Sequence, residues 1–302
     1  MCGIVGLHLK DPDLQPRLGE LLSVMLEAMT TRGPDSAGIA VYADQAGSSG
    51  TGPGLQYSLR SETGTDWDLL GKAIAADTDC EVRVRRLGRD SAVLESGASE
   101  ALFLAAVRRA ARDVTVAGYG HSMVLVKDVG APADICARYG IPGWSGYQGS
   151  GHTRMATESA VTTAHSHPFA PAADLALVHN GSFSNYATIR GRLSRAGLYC
   201  ETDNDSEVAA RLIATRMAEG DGLEDALRTV LKEMDGFFTF LVTTRTQFAV
   251  VRDSFACKPA VIAETGDYVA MASEYQALAG LPGVAGAEVF EPSPEEIHLW
   301  SR

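Results

Sequence analysis

The second residue of the chain is a cysteine. Its small side chain permits removal of Met1, and the residue that would then lead the chain carries a thiol and a free α-amine together. A terminal amine titrates close to neutral pH, slightly below a thiol, so it can take the thiol proton, directly or through a water, and leave a thiolate nucleophile. A cysteine so near a terminus ordinarily belongs to a frayed end, but CGIVG is apolar and reads as a strand that a sheet would hold. A thiolate attacking a carboxamide needs hydrogen-bond donors where the oxyanion develops. The run HNG at 179–181 closes the apolar stretch LALV and offers the Asn180 side-chain amide and the Gly181 backbone N–H. Taken alone, Asn-Gly after a strand most often marks a hairpin turn.

Two further runs supply charges of both signs. GHTRMAT at 151–157 contains Arg154, whose planar fork suits a carboxylate held by two N–H groups, and TDNDSE at 202–207 sets Asp203 and Asp205 beside a helix start. Each is ordinary by itself: a solvated Arg, and an Asp or Ser capping the helix VAARLIATRM. Together with Cys2 and HNG they outline a site for a zwitterionic amino acid bearing a carboxamide. His152, His165, His167 and His179 can be imagined as a metal cluster, since HSH sets two imidazoles on one side of a strand. No acidic or Cys ligand stands at suitable spacing, so these histidines are expected to order loops around the pocket and no metal is expected. Trp144, Phe183 and Tyr186 are expected to pack. Cys80, Cys136, Cys200 and Cys257 are scattered without CxxC pairing and read as small buried hydrophobes rather than a disulfide framework.

The elements that must position these groups follow from the apolar pattern. CGIVGLHL reads as a strand, Pro12 and Pro16 break it, and Leu18, Leu21, Leu22, Met25, Leu26 and Met29 then fall at helical spacing. Gly33 and Pro34 turn the chain into a second strand, AGIAVYA, followed by a Gly/Ser/Pro-rich loop at 47–54. From Leu55 to about Gly149 the pattern changes. EVRVRRL and SMVLV read as strands, 101–112 as a helix, and a loop with Gly143, Gly146, Gly149 and Gly151 ends the stretch, an inserted mixed α/β segment at about 45–150. Beyond it, LALVHNG, FFTFLVTT, QFAVVRD, PAVIA and YVAMAS read as strands, with helices near 186–196, 207–219 and 223–234. Strands that cluster late favour antiparallel or mixed sheets over a doubly wound parallel one, and no dinucleotide-type glycine motif is present.

With 302 residues, 45% of them hydrophobic, the chain has core enough for one large or two ordinary domains, which excludes general disorder. The 38 acidic residues outweigh the 26 basic ones, and a net charge of −12 argues against nucleic acid or an anionic membrane as partner. No stretch reaches the roughly 18 apolar residues of a membrane span, and the N-terminus lacks the pattern of a signal peptide. A cytoplasmic location is therefore expected.

CGIVG, RGPDSAG at 32–38, GHTRMAT, HSHPF at 165–169, HNG and DSE occur in one order, followed by RDSFACKP at 252–259 and ASE at 272–274. In these runs the chain resembles the class II glutamine amidotransferases, domains with an N-terminal nucleophile. The resemblance implies an α+β fold, a four-layer αββα sandwich of two antiparallel sheets, forming one domain over 1–302 around the insertion. It implies Cys2 as nucleophile, Asn180 and Gly181 as oxyanion hole, Arg154 on the substrate α-carboxylate, and Asp205 on its α-ammonium, with Asp203 as competitor. Arg32, near the closing glutamine loop, and His179 would also be among the substrate-binding residues. Pro34 departs from the pattern, standing where a polar or aromatic residue is usual. The implied reaction converts L-glutamine to glutamate through a γ-glutamyl thioester and releases ammonia.

Because the chain ends soon after IHLW at 297–300, the ammonia acceptor is expected on another chain. The wording of the motifs most resembles stand-alone subunits related to the glutaminase part of glutamate synthase, including the small subunit of N-methylglutamate synthase. That likeness implies synthase partners carrying FMN and an iron–sulfur cluster, with no cofactor in this chain. Two other readings stay open: an N-terminal-nucleophile amide hydrolase acting on another substrate, and a non-catalytic regulatory subunit of the same complex.

Overall fold

The computed structural model describes residues 2–44, 54–155 and 161–302. Met1, whose removal the chemistry of Cys2 requires, lies outside the described residues, as do most of the Gly/Ser/Pro-rich loop and the last two residues of GHTRMAT.

The N-terminal strand, Gly3–Leu9, is buried along its whole length, which is why its sequence is a continuous apolar run and not an alternating one. It lies between Tyr268–Ala272 and Gln148–Arg154, antiparallel to both. Beyond these neighbours the seven-stranded sheet continues through Val261–Glu264 and Glu288–Phe290 on one side, and through Ser36–Tyr42 and Met123–Val129 on the other. A five-stranded antiparallel sheet follows the order Ile297–Ser301, Gln247–Arg252, Gly236–Thr243, Leu175–Phe183, Phe169–Ala172. Between the two sheets, Ile4, Val269 and Met271 meet Val178, Leu241 and Phe248, all removed from solvent. Each such apolar side chain contributes about 1.5–3 kcal/mol of burial.

The outer faces are covered by helices. Leu22, Met25 and Leu26 of helix Leu18–Ala28 pack on Val5, Leu7 and Ile39, as their helical spacing predicts. Helices Tyr186–Arg195, Asp205–Ala218 and Leu223–Glu233 set Leu193, Val208, Leu212 and Leu227 against Phe238 and Phe240. The layers are therefore helix, sheet, sheet, helix, the expected αββα sandwich. Phe183, Tyr186 and Trp144 pack in these cores.

The insertion forms a unit with its own core. Leu55–Ser61, Trp67–Thr78, Val82–Arg86, Ser91–Ser96, Glu100–Ala110 and Val114–Gly120 follow one another as strand, helix, strand, strand, helix, strand. Their four strands order as Val82–Arg86, Ser91–Ser96, Leu55–Ser61, Val114–Gly120, all antiparallel, a split βαβ arrangement. Trp67, Leu70, Ile74, Phe103 and Val107 cover Tyr57, Leu59 and Leu94. Its end differs from the expected boundary near residue 150. The chain rejoins the large sheet at Met123, because MVLVKDV pairs along Ser36–Tyr42. Gly149 and Gly151, expected in a loop, lie inside Gln148–Arg154. A Cβ there would come within 2.6 Å of Leu22 and 2.8 Å of Leu26, so these glycines serve close approach of helix to strand rather than a turn.

Two carboxylates tie the insertion to the sandwich. Asp174, in the left-handed region at φ 54°, accepts the backbone N–H groups of His121, Ser122 and Met123 at 2.9, 2.9 and 3.0 Å. Buried Asp128 accepts from Arg60 at 2.8 Å, Arg138 at 2.5 Å and Tyr139 at 3.0 Å. Among the described residues no helix is long and apolar enough to cross a membrane. Cys136 is buried as expected, whereas Cys257 is exposed, in a loop where Ala256 takes φ 49°.

Candidate active site

Cys2 stands at the head of the buried N-terminal strand and is itself half-buried. The backbone next to it is pinned: Ile4 donates to Ser273 Oγ at 2.9 Å, and Ser273 N donates to the Ile4 carbonyl at 2.9 Å. The Cys2 carbonyl accepts Arg32 Nε at 2.8 Å and Asn180 Nδ2 at 3.1 Å. One donor comes from the short turn Thr30–Arg32 after the first helix, the other from the second sheet. Cys2 is thus held from both sides.

Arg32 stands beside Cys2. Its guanidinium is buried, and besides holding the Cys2 carbonyl it donates Nη1 to Glu274 Oε1 at 2.5 Å. Glu274 was visible in the sequence only as part of ASE, with nothing in its spacing to link it to an arginine more than two hundred residues away. Arg154 closes the neighbouring strand. Because Gly3 pairs with Thr153 and Ser36 with Arg154, Cys2, Arg32 and Arg154 gather at one corner of the large sheet. The Arg154 carbonyl accepts Asp35 N at 3.1 Å, and its side chain is buried.

HNG lies inside strand Leu175–Phe183, paired residue by residue with Gly236–Thr243, and is not a hairpin turn. Strand alternation puts Asn180 on the same face as Val178, toward the large sheet and Cys2. His179 faces the other way, stacked 4.9 Å from Phe183 and edge-on to Phe240 at 5.2 Å. It was expected to touch substrate; instead its Nδ1 lies 2.6 Å from Ser206 Oγ and 4.0 Å from Asp205 Oδ1, so it braces the acidic segment from behind. Ser206 Oγ donates to Asp205 Oδ1 at 3.3 Å, which leaves its lone pairs to accept from His179 Nδ1–H and selects that tautomer. Burial pushes His179 down to about 4 and His152 to about 3, so both are neutral near pH 7. His152 Nε2 in turn donates to the His179 carbonyl at 3.0 Å, and His167 packs 4.1 Å from His152. Gly181 sits at φ +151°, where a Cβ would lie 2.0 Å from the Phe237 carbonyl oxygen, so only glycine fits this corner.

The competing aspartates separate cleanly. Asn204, not an Asp or Ser, caps helix Asp205–Ala218 by accepting Ser206 N at 2.9 Å. Asp205 is thereby free to accept Phe183 N at 3.0 Å, which joins it to the strand carrying Asn180 and Gly181. Asp203 stands in solvent, 2.6 Å from His165 Nε2, and that hydrogen bond holds its carboxyl below the usual range. Glu207 escaped notice in the sequence. Buried, it accepts Glu201 N, Thr202 N and Thr202 Oγ1, each at 2.7 Å, and so shapes the turn that presents both aspartates. The signal was present, since a Glu three residues after an N-cap is the mark of a capping box. Among the described residues no three His, Cys, Asp or Glu side chains are placed to hold a metal ion.

A family model described as a glutamine amidotransferase domain matches residues 152–280. The chain is 47% identical to a glutamine amidotransferase-like protein, GlxB, of Rhizobium meliloti strain 1021, over 99% of this chain and 98% of that protein. It is 33% identical to a putative glutamine amidotransferase of Methanothermobacter thermautotrophicus, over 99% of both chains. Among solved structures, the glutamine phosphoribosylpyrophosphate amidotransferase from B. subtilis superposes with a TM-score of 0.62 at 19% identity, covering 100% of this chain and 49% of that one, a likeness of fold. The pinned Cys2 strand, the αββα sandwich and relatives matched from end to end agree: the chain belongs to the class II glutamine amidotransferases.

Proposed function

We propose that this chain is a glutaminase subunit that hydrolyses L-glutamine to L-glutamate through a γ-glutamyl thioester on Cys2. In this reading Arg154 receives the substrate α-carboxylate and Asp205 its α-ammonium. Once Met1 is removed, the α-amine of Cys2 takes the thiol proton and the thiolate attacks the side-chain carboxamide. The oxyanion rests on Gly181 N–H and on the Asn180 amide, which has a second N–H beside the one holding the Cys2 carbonyl. Collapse breaks the C–N bond, and the terminal ammonium returns its proton to the departing ammonia. A water, deprotonated by the same amine, then opens the thioester to glutamate and the free thiol. One oxyanion donor is typically worth about 2.7–4 kcal/mol, and holding both charged ends of the substrate adds positioning.

The observation that carries this reading is the double grip on the Cys2 carbonyl by Arg32 and Asn180, which holds the first residue of an N-terminal-nucleophile site in place without using its thiol. The ammonia passes to a separate partner of glutamate-synthase or N-methylglutamate-synthase type, in the cytoplasm. FMN and an iron–sulfur cluster belong to that partner, because the two acyl transfers on Cys2 use neither. Intact mass before and after treatment with a diazo-ketone analogue of glutamine tests the mechanism, with glutamate release assayed alone and with candidate synthase subunits. Loss of Met1 and one label on Cys2 support it. Retained Met1 with no label, partners present, refutes it.

A further inference from the structure

We propose that the cavity at the seam between the insertion and the sandwich is an effector site for a free amino acid, distinct from the glutamine site. The cavity measures about 430 Å³, within the range of small-molecule pockets. One wall is the insertion, with Leu104, Val107 and Val116; the other is the sandwich, with Phe169, Ala170 and Pro171. This apolar middle suits a side chain of modest size.

The charged groups around it are of both signs. On the floor stands Lys127, nine-tenths buried, its ammonium 2.8 Å from the Ser166 carbonyl, 3.5 Å from those of Ala164 and Pro168, and 4.9 Å from the centre of the Phe169 ring. Its hydrogen-bond partners are neutral carbonyls, it lies over a ring, and among the described residues it forms no ion pair, the carboxylates of Glu207 and Glu201 reaching it only at longer range. A buried charge is costly until an opposite charge meets it, so the floor favours a carboxylate. The mouth is rimmed by exposed Glu100, Glu201 and Arg108. The other lining ions are committed: Arg60 to Asp128, and Arg211 and Glu207 to each other. What is left over for a ligand is an ammonium inside and, at the rim, the Glu201 carboxylate, the Arg108 guanidinium and Glu100, which also accepts the Tyr119 hydroxyl at 2.6 Å. A ligand carrying both a carboxylate and an ammonium satisfies both ends, which a simple anion or amine does not.

The same walls are the backs of the loops that form the glutamine site. Thr163 and Ala164 lead into His165, which holds Asp203. Glu201 and Thr202, both bonded to Glu207, lead into Asp205. An occupant therefore presses on the segments that present the aspartates, so its binding and that of glutamine change one another by the same factor.

The test is calorimetric titration of the full chain, its Cys2 blocked by the diazo-ketone or replaced by C2A, with each common L-amino acid, and with butyrate and butylamine as single-charge controls. The expected result is one-to-one binding of at least one amino acid and of neither control. Glu201→Gln or Arg108→Gln, both at the exposed rim, should weaken it about tenfold for loss of one charge-assisted contact, and Leu104→Trp, which fills the cavity, should abolish it. The same amino acid should shift the KM for glutamine of the unblocked protein. Absence of binding at about 10 mM, equal binding of either control, or titrations unchanged by all three substitutions would overturn the proposal. None of the binding readouts requires turnover, so a failure here is separable from a failure of the glutaminase reading.

Discussion

Replacing Arg32 with methionine separates two roles for this arginine. If Arg32 were a substrate ligand, as its motif implies, the change would raise KM. The geometry assigns it instead to the Cys2 carbonyl, 2.8 Å from Nε, while Nη1 is held by Glu274. A hydrogen bond from a charged donor is worth about 1.5–3 kcal/mol. Glu274 is 38% exposed and can take water when its partner goes, so little penalty arises from the stranded carboxylate. Asn180 still holds the Cys2 carbonyl, so the strand stays in the sheet and the loss falls on the orientation of the nucleophile. The expected outcome is a fall in kcat of about 10- to 150-fold with KM changed less than about threefold, and an equal fall in the rate at which the diazo-ketone labels Cys2. Arg32→Lys, which keeps charge but lacks the fork, should recover part of it. The assay is steady-state glutamate release together with mass-resolved labelling. A tenfold rise in KM at unchanged kcat would return Arg32 to the substrate and refute the positioning argument.

Arg154→Ala should chiefly raise KM in the same assay, because it removes uniform binding of one end of the substrate, whereas Cys2→Ala should abolish turnover. Asp174→Ala strands three backbone N–H groups at the junction of insertion and sandwich and should cost about 3 kcal/mol in urea denaturation, with the diazo-ketone reaction of the folded protein unchanged. His179 has its pKa depressed to about 4 by burial, so the stability it contributes is complete above about pH 6.5 and is lost as pH falls toward 4. At pH 5 the loss should be about 2 kcal/mol, and His179→Gln should flatten that part of the pH profile of unfolding. Gly6→Ala would put a Cβ 2.3 Å from Leu241 and 2.9 Å from Phe248 of the opposite sheet, at a cost of about 1–3 kcal/mol. Leu241→Val in the same chain, which gives up one carbon for the one added, should restore part of the lost thermal stability.

What the sequence made legible was chemistry that depends on residue type and local period. Cys2, the Asn-Gly pair, the acidic pair and the amphipathic first helix are each contained in a few consecutive residues, and the αββα layering follows once the late strands are seen to be buried on both faces. What stayed hidden depends on distant pairing. HNG looks like a turn until eight residues of Gly236–Thr243 lie alongside it. His179 looks like a site residue until the period of two turns it away from Asn180. Asp203 and Asp205 look alike until Asn204 takes the cap and Phe183 N finds Asp205. The insertion seems to run on to residue 150 because glycines in Gln148–Arg154 imitate a loop, and only the packing of Leu22 and Leu26 shows them to be sites of contact.

One pairing hidden from the sequence spans the seam where the two sheets face each other. Cys2 belongs to the large sheet, Asn180 to the small one, and their single hydrogen bond crosses the gap that Ile4, Val178, Leu241 and Phe248 fill. Arg32 grips the same carbonyl from the end of the first helix, itself seated on the large sheet by glycine contacts. The distance between Cys2 and Asn180 is therefore set by the thickness of the inter-sheet core and not by any loop. Close-packed cores hold such a spacing far more tightly than surface segments do. On the proposed reading, that is the physical advantage of seating Cys2 at the head of a buried central strand.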